Sequence, residues 1–345
     1  MSRFLVICLT LFSAIPFLSC DRDLEKDNNI EENFESLWRI IDERYCFFEL
    51  KKDSIIDWKQ AHDIYLPKAM KCTTNIQLFD VFADMLNELK DGHVNLTSTF
   101  DVTRYDLQGE HKDNFVSNVI FGERYLGKHY RKAGGLLYVV LPGNVGYIRY
   151  SSFSNAFSNS NLSAIWYFFQ DVDGLIIDIR GNGGGVVTNV DLLAGCFVDE
   201  KIKTGYWQRK TGKGHADLSE PEPIYLKPNN NASFLGKPVA VLVNRDVYSA
   251  ANLFSQTMAE IPHTALIGDK TGGGSGMPAS NELPCGWNLR FSSSIHLRND
   301  FQCAEWGIDP DIRVDLDVEK AFRKGEDNMI ETAVLWVKSE SKKIQ

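Results

Sequence analysis

The stretch Leu175-Ile-Ile-Asp-Ile-Arg-Gly-Asn-Gly-Gly-Gly185 carries the clearest structural signal in the chain. Its first half is a short apolar run of the kind that forms a buried strand, and it predicts a strand that ends at Arg180. Its second half is rich in glycine, which lets a backbone approach a ligand closely and direct N–H groups at it. We therefore predict a strand that opens into a ligand-binding turn or, alternatively, into a tight turn that needs positive φ angles.

The glycine turn matches neither of the common nucleotide-binding loops. A dinucleotide fingerprint needs Gly or Ala where Val186 stands, and a phosphate-binding loop needs a Gly-Lys-Ser/Thr sequence, which does not follow. A backbone site for an oxyanion fits these residues better than a phosphate cradle does.

On either side of this stretch, β-rich runs alternate with helical segments. The predicted strands are residues 136–141, 145–150, 174–179 and 239–243, and the predicted helices lie near residues 164–169, 190–197 and 250–261. Strands interleaved with helices predict an α/β core. Residues 28–89 show helical periodicity, with Thr74 and Gln77 as the capping box of a third helix, and an amphipathic helix is predicted near residues 326–338.

The composition excludes several classes of protein. The 345 residues are 43% hydrophobic and 24% charged, which rules out a disordered or collagen-like chain. The net charge is −9 and there is no basic run, so no nucleic-acid partner is expected. Beyond the first twenty residues no apolar stretch is long enough to span a bilayer, which excludes a multi-pass membrane protein.

Residues 1–19 have the features of a signal peptide, with an early Arg3 and an apolar run from Phe4 to Leu18. The segment Leu18-Ser-Cys20 resembles the lipobox of bacterial lipoproteins, which are cleaved before the cysteine and acylated on it. A lipid on Cys20 would hold the exported protein at a membrane of the cell envelope without a spanning helix. Residues 20–27, which are polar and acidic, would form its tether. The alternative is a plain signal peptide.

Five cysteines lie beyond this leader, and none of them forms a C-x-x-C pair. The sequence therefore predicts no metal site, and it predicts no cofactor. An exported location would permit disulfides between Cys46 and Cys72 and between Cys285 and Cys303.

Two further segments could carry chemistry. Ser249 stands where the strand at 239–243 leads into a helix; such a serine is either an N-cap or a nucleophile on a strand–turn–helix elbow, where free N–H groups favour an oxyanion. His93 follows Asp91-Gly92, a turn signal at the end of the third helix.

Together these motifs resemble the S41 family of serine peptidases, and within it the tricorn-core and retinoid-binding-protein-like branch. Six segments stand in the family's order across residues 30–318. They are Leu89-Lys-Asp-Gly-His-Val94, Val145-Gly-Tyr-Ile-Arg-Tyr150, Asp178-Ile-Arg-Gly-Asn-Gly-Gly-Gly185, Val241-Leu-Val-Asn-Arg-Asp-Val-Tyr-Ser-Ala-Ala251, Ile267-Gly-Asp-Lys-Thr-Gly272 and Glu305-Trp-Gly-Ile-Asp-Pro-Asp311.

The resemblance implies a crotonase/ClpP-like ββα core. Its implied domains are a helical N-terminal domain at residues 28–100, a connecting segment at 101–135, the core at 136–318 and a C-terminal helix at 319–345. Many family members also carry a PDZ domain that captures the C-termini of substrates. The 35 residues between Phe100 and Leu136 are too few for such a domain, so none is expected.

The resemblance assigns Ser249 as the nucleophile and the N–H groups of Gly185 and Ala250 as the oxyanion hole. The tricorn-like branch uses a histidine base and a glutamate, and these positions are His93 and Glu305 in this chain. A neutral imidazole has a suitable pKa for activating a serine hydroxyl, and a carboxylate can orient it directly or through a relay.

Three positions depart from the patterns of the family. Processing proteases use a lysine base, but Gly274 stands in that place, which disfavours a Ser–Lys dyad. In the tricorn-like pattern a relay serine precedes the histidine and a glutamate follows the nucleophile by three residues; Gly92 and Asn252 stand there instead.

The sequence as a whole predicts an exported, lipid-anchored serine endopeptidase that acts on peptides or proteins. One alternative is a peptide-binding lipoprotein without activity, in which Ser249 is only an N-cap. Another is a crotonase-like acyl-CoA enzyme, which the acidic charge and the lack of a basic phosphate-binding cluster disfavour.

Overall fold

The computed structural model of the protein describes residues 29–105, 111–112 and 114–344. The predicted signal peptide at residues 1–19, the lipidation site at Cys20 and the whole tether at residues 20–27 lie outside the described residues. The described strands are β1 (Asn95–Thr97), β2 (Arg131–Ala133), β3 (Leu136–Leu141), β4 (Val145–Arg149), β5 (Gly174–Asp178), β6 (Ile202–Arg209), β7 (Glu222–Leu226), β8 (Val239–Val243), β9 (Thr264–Gly268), β10 (Gly276–Glu282), β11 (Asn288–Leu297) and β12 (Ile312–Arg313). The described helices are α1 (Ile30–Arg44), α2 (Phe48–Lys51), α3 (Trp58–Ala69), α4 (Asn75–Asn87), α5 (Ser117–Ile120), α6 (Asn159–Phe168), α7 (Val187–Ala194), α8 (Ala250–Ala259), α9 (Val318–Lys324) and α10 (Asn328–Ile344).

The core is a seven-stranded sheet in the order β12-β9-β8-β5-β4-β3-β2. The strands from β4 to β12 in this order pair in parallel, and β2 and β3 form an antiparallel edge. Strands β3 and β8 have the predicted bounds. Strand β4 ends one residue earlier than predicted, and β5 ends at Asp178, before both the predicted strand end at residue 179 and Arg180. The predicted α/β core is confirmed.

Helices cover both faces of this sheet. Ile177 and Val241 pack with α6, α7 and α8 on one face, while Ile176 and Leu242 pack with α10 on the other. Because successive side chains of a strand point to opposite faces, a strand between two apolar layers needs apolar residues at nearly every position. This is why every residue of β5 and β8 is buried.

The helical N-terminal region packs on a second sheet, which the sequence analysis did not predict as a unit. Its strand order is β1-β11-β6-β7, and β10 pairs with β11. The hydrophobic core of the helices includes Leu289 and Phe291 of β11 as well as Phe34, Leu37 and Phe82. The helical region is therefore joined to the later half of the chain through a shared core.

The cap of helix α4 differs slightly from the predicted capping box. The Thr74 hydroxyl accepts a hydrogen bond from the Gln77 N–H, as predicted, but the Gln77 side chain reaches back to Thr73 rather than to Thr74. The Gln77 N–H at the start of the helix is thus capped as predicted, which fixes where the helix begins.

The end of the chain differs from the single predicted C-terminal helix. Two helices, α9 and α10, are separated by Gly325, whose φ of 61° ends α9 in a left-handed cap. Helix α10 packs on the main sheet through Met329, Ile330 and Ala333, so it forms part of the core. None of the described helices is long and apolar enough to cross a membrane.

The described part of residues 101–135 contains only α5 and β2, in keeping with the expected lack of a PDZ domain. The two disulfides that the sequence permitted are not formed, since all five described cysteines are free thiols.

A buried ion cluster anchors the turn that follows β5. The Arg180 guanidinium is fully buried and donates hydrogen bonds to the carboxylates of Asp178 and Asp327, at 2.6 and 2.8 Å. Tyr147 donates a further hydrogen bond to Asp178, at 2.7 Å. Asp327 also accepts from N–H groups at the start of α10. The cluster thus ties the glycine turn to α10 and limits how far it can move.

Candidate active site

Ser249 lies at the sharp turn between β8 and α8. Its backbone has φ 56° and ψ −122°, a conformation that costs a residue other than glycine about 1–3 kcal/mol. The turn is held in place by a hydrogen bond from the Ser249 N–H to the Gly273 carbonyl, at 2.9 Å. The Ser249 side chain makes no capping hydrogen bond to α8, so its hydroxyl is free for another partner. The strain and the missing cap favour the nucleophile-elbow interpretation over a plain N-cap.

His93 is that partner. It follows the Asp91-Gly92 turn, shortly after α4 ends, and its Nε2 atom lies 2.9 Å from Ser249 Oγ. The two residues are 156 positions apart in sequence, so their contact depends on how the N-terminal helices dock on the rest of the chain. His93 is 3% exposed. A short contact between a buried imidazole and a serine hydroxyl is the arrangement of a base and its nucleophile.

Burial sets the charge state of His93. Desolvation lowers its pKa to about 4; the Asp91 carboxylate opposes this shift, while the cations Arg290 and Lys51 add to it. The imidazole is thus neutral near pH 7. With Nε2 accepting from the serine hydroxyl, the proton sits on Nδ1, which is buried and has no hydrogen-bond partner among the described residues.

Asp91 holds the turn that presents the histidine. Its Oδ1 atom accepts the His93 backbone N–H at 2.8 Å, and its Oδ2 atom accepts from Tyr45 and Ser292, at 3.0 and 2.9 Å. Burial by itself would raise the pKa of Asp91, but nearby Lys51, nearby His93 and these hydrogen bonds hold it below its ordinary value. In the sequence, Asp91 is recognisable only as a turn residue.

Glu305 does not contact His93. Its Oε1 atom accepts from Lys51 Nζ at 2.8 Å, and its Oε2 atom accepts from the Ser275 N–H at 2.9 Å. Lys51 Nζ also lies 3.8 Å from Asp91 Oδ2. The connection from Glu305 to the histidine therefore runs through Lys51 and Asp91. Burial, with repulsion from Asp91, raises the pKa of Glu305 to about 7 despite the attraction of Lys51.

Lys51 was missed by the sequence analysis. It is the last residue of the short helix α2, in the polar run Glu49-Leu-Lys-Lys-Asp53, and it is only 2% exposed. Nothing in that run distinguishes it from its neighbour Lys52, which is exposed.

The predicted oxyanion donors line the same cleft as Ser249. No hydrogen bond among the described residues engages the N–H of Gly185 or of Ala250, and both residues border the cleft together with Ser249. Glycine is required here for space: a Cβ atom on Gly184 would lie 2.8 Å from Ser249 Cβ, and one on Gly185 would lie 2.2 Å from the Ser154 N atom. The absence of a side chain at Gly184 lets the turn approach Ser249, and its absence at Gly185 lets the turn lie against Ser154.

The cleft spans about 530 Å³, part of which is open to solvent, and both polar and apolar residues line it. It includes Met277 and Pro278 of β10, a strand that pairs only with β11 among the described strands. Asn252, although it borders the cleft, bonds to Ala304 and Thr271 at 3.1 and 2.6 Å and so is tied into the surrounding structure. The described residues contain no group of His, Cys, Asp and Glu that could hold a metal ion.

Comparison with known proteins gives a consistent assignment. A model of peptidase family S41 matches residues 144–314, and a model of the tricorn protease C1 domain matches residues 26–87. A crystal structure of a candidate peptidase from Parabacteroides merdae ATCC 43184 is 42% identical, with a TM-score of 0.83 over 90% of this chain and 97% of that one.

Two more distant relatives are informative in different ways: one is matched over less than half of its length, and the other shares only the fold. The carboxy-terminal processing protease CtpA of Bacillus subtilis (strain 168) is 25% identical over 197 residues, which is 53% of this chain and 40% of CtpA. The chain thus spans less than half of that protease. Mature CPAF complexed with lactacystin is 12% identical, with a TM-score of 0.66 over 91% of this chain and 99% of the CPAF chain, and it shows the same fold.

Proposed function

Because the chain belongs to peptidase family S41, we propose that it is a serine endopeptidase that cleaves peptide bonds through an acyl-enzyme on Ser249. The observation that carries the proposal is the 2.9 Å contact between His93 Nε2 and the strained, uncapped Ser249. A non-catalytic peptide-binding protein would need neither the strain nor the histidine at this position.

The proposed steps use only groups of the chain itself. Neutral His93 takes the Ser249 proton at Nε2 while Oγ attacks the carbonyl carbon of the peptide bond. The N–H groups of Gly185 and Ala250 donate to the oxyanion that forms, and one such donor contributes about 3–4 kcal/mol to the transition state. His93 then passes the proton to the leaving amine, and water repeats the sequence on the acyl-enzyme.

Covalent labelling tests the assignment of the nucleophile. A fluorophosphonate is expected to label the wild type with one adduct, which peptide mapping locates on Ser249, and Ser249→Ala is expected to abolish it. Ser275→Ala is the matched control, because Ser275 lines the same cleft but its hydroxyl contacts Cys303 instead of a histidine. Labelling that survives in Ser249→Ala would overturn the assignment.

The pH dependence of hydrolysis tests the state of the base. Since burial lowers the pKa of His93 to about 4, His93 stays neutral down to that pH, and the acid limb of kcat/KM is expected to have its midpoint there instead of near 6.5. Circular dichroism at each pH checks that the protein is folded.

Glu305→Gln serves as the control for this profile, because Glu305 itself titrates at about 7. An inflection near pH 7 that vanishes in Glu305→Gln would belong to the glutamate. One that persists in this variant would show that His93 is not desolvated in the free enzyme, which contradicts the prediction.

We also propose that the enzyme is exported and lipid-anchored, so that its substrates are peptides or proteins of the cell envelope. The support is the sequence of residues 1–20, with its apolar run and Leu18-Ser-Cys20. Metabolic labelling with an alkyne fatty acid is expected to mark the wild type but not Cys20→Ala. Equal membrane association and equal labelling of the two proteins would refute the anchor.

A further inference from the structure

Arg290 lies in the candidate active site but has no part in the proposed steps. It lines the same cleft as Ser249 and is half-buried on β11. The pairing of β1 with β11 places it opposite Asn95, and its Nη1 atom donates to Asn95 Oδ1 at 3.0 Å. Asn95 follows His93 by two residues, and two residues of chain span at most about 7 Å. The side chain of Arg290 is therefore tied to the strand that follows the candidate base, and its charge acts on His93 by lowering the pKa of the imidazole.

The charge of Arg290 is not matched by a carboxylate in the cleft. Among the fourteen residues that line the cleft, Arg290 is the one with a permanent charge. The other titratable residue in the lining, His296, is neutral near pH 7 because burial lowers the pKa of its imidazole to about 4. No described carboxylate forms an ion pair with Arg290; Asp91 acts on it only from a longer distance.

A half-buried guanidinium with unused donors is suited to one kind of ligand. Burial works against its charge and lowers its pKa, so a bound anion would relieve an unfavourable state. The planar fork of an arginine binds carboxylates through two parallel hydrogen bonds. In an unmodified peptide the anionic groups are carboxylates, either on Asp and Glu side chains or at the C-terminus.

We propose that Arg290 binds a substrate carboxylate close to the bond that is cut, so that it sets the specificity of the enzyme. The inference rests on the proposed function of the cleft. Because Arg290 and Ser249 line one cleft and an extended peptide advances about 3.3 Å per residue, the carboxylate belongs to a residue within a few positions of the scissile bond. An acidic side chain and a free C-terminus present the same chemistry at that distance.

Matched peptides distinguish the two sources. One peptide has a Glu near the cleaved bond and an amidated C-terminus, a second has Gln at that position and a free C-terminus close to the bond, and a third has Gln and an amide. The wild type is expected to cleave at least one of the first two with a kcat/KM about 10- to 100-fold above the third. Equal rates for all three peptides would overturn the proposal.

Variants of Arg290 assign that preference to the residue. Arg290→Gln is expected to lose the preference of about 10- to 100-fold, so that it cleaves the three peptides with similar kcat/KM, and Arg290→Lys is expected to recover only part of the preference. Arg323→Gln is the control, since Arg323 is an exposed residue of α9. An equal loss on all three peptides would show that Arg290 only supports the fold.

Binding measurements separate this inference from the proposed activity. Calorimetry with Ser249→Ala and the same peptides reports carboxylate binding without turnover, and Arg290→Gln in that background is expected to weaken the carboxylate peptides alone by about 10-fold or more. Carboxylate-dependent binding without any fluorophosphonate labelling of the wild type would refute the peptidase and keep the site. Labelling without carboxylate-dependent binding would refute the carboxylate site at Arg290 and keep the peptidase.

Discussion

Ser249→Ala and His93→Ala are each expected to lower kcat for peptide hydrolysis by about 10⁴-fold or more, and the double variant is expected to be no slower than the slower single variant. The reason is that the two side chains act in one step. Without the imidazole the hydroxyl keeps its proton, and without the hydroxyl the imidazole has no nucleophile to activate. The 2.9 Å contact between them is the structural basis of this non-additivity.

The measurement is single-turnover hydrolysis of a fluorogenic peptide by the wild type, the two single variants and the double variant. Thermal unfolding checks the stability of each protein. His129→Ala is the control, because His129 is an exposed histidine outside the cleft, and it should retain wild-type rates. Additive losses in the double variant would mean that serine and histidine contribute to separate steps, which is incompatible with a base and nucleophile pair.

The main sheet could be predicted from the sequence because its signal is local. Residues 175–179 and 239–243 are apolar runs of strand length, and burial on both faces leaves such a strand little choice of composition. Strands β6 and β7 of the second sheet gave no such signal. Their residues are largely half-buried or exposed, so apolar and polar side chains mix without a regular period.

The positions of the candidate site residues could be predicted only in part, for a similar reason. Ser249 and His93 stand beside turns that a sequence can reveal, but their contact depends on the docking of α1–α4 against β11, which no local pattern encodes. The resemblance to the family implied that Glu305 orients His93, yet in the structure the Glu305 carboxylate accepts a hydrogen bond from Lys51. Lys51 and Arg290 are single charged residues whose burial is set by distant segments, so the sequence gives no sign of their surroundings.

Lys51→Met is expected to lower the free energy of unfolding by about 3–5 kcal/mol. Lys51 is buried, and it lies 2.8 Å from Glu305 and 3.8 Å from Asp91. Methionine retains most of the packing of the lysine stem but removes the cation, which leaves the buried carboxyl group of Glu305 near Asp91 without a counter-charge. Urea unfolding at pH 7 followed by fluorescence measures the loss.

The neighbouring lysine supplies a matched control. Lys52 is exposed, so Lys52→Met should change the stability by no more than about 0.5 kcal/mol. Adding Glu305→Gln to Lys51→Met removes the carboxyl group that has lost its partner and should recover part of the loss. If Lys51→Met proves as stable as Lys52→Met, the buried lysine does not hold the two carboxylates together.

The loss of stability in Lys51→Met should also grow as the pH rises, and the direction of this change follows from the titration of Glu305. The pKa of this group is raised from an ordinary 4.5 to about 7 in the folded protein, so folding takes up a proton between those values. This uptake stabilises the wild type at low pH, and the benefit fades as the pH rises towards about 7, by up to ~1.4 kcal/mol per pH unit. Without Lys51 the pKa of Glu305 rises further, because the attraction that lowers it is gone. In the folded variant Glu305 then keeps its proton above pH 7, whereas in the unfolded chain it does not. The stability of the variant therefore continues to fall at pH values where the stability of the wild type has levelled off. The deficit of Lys51→Met relative to the wild type should therefore exceed its value at pH 5.5 by about 1 kcal/mol or more at pH 8, and a deficit independent of pH would mean that Glu305 is not the group left unpaired.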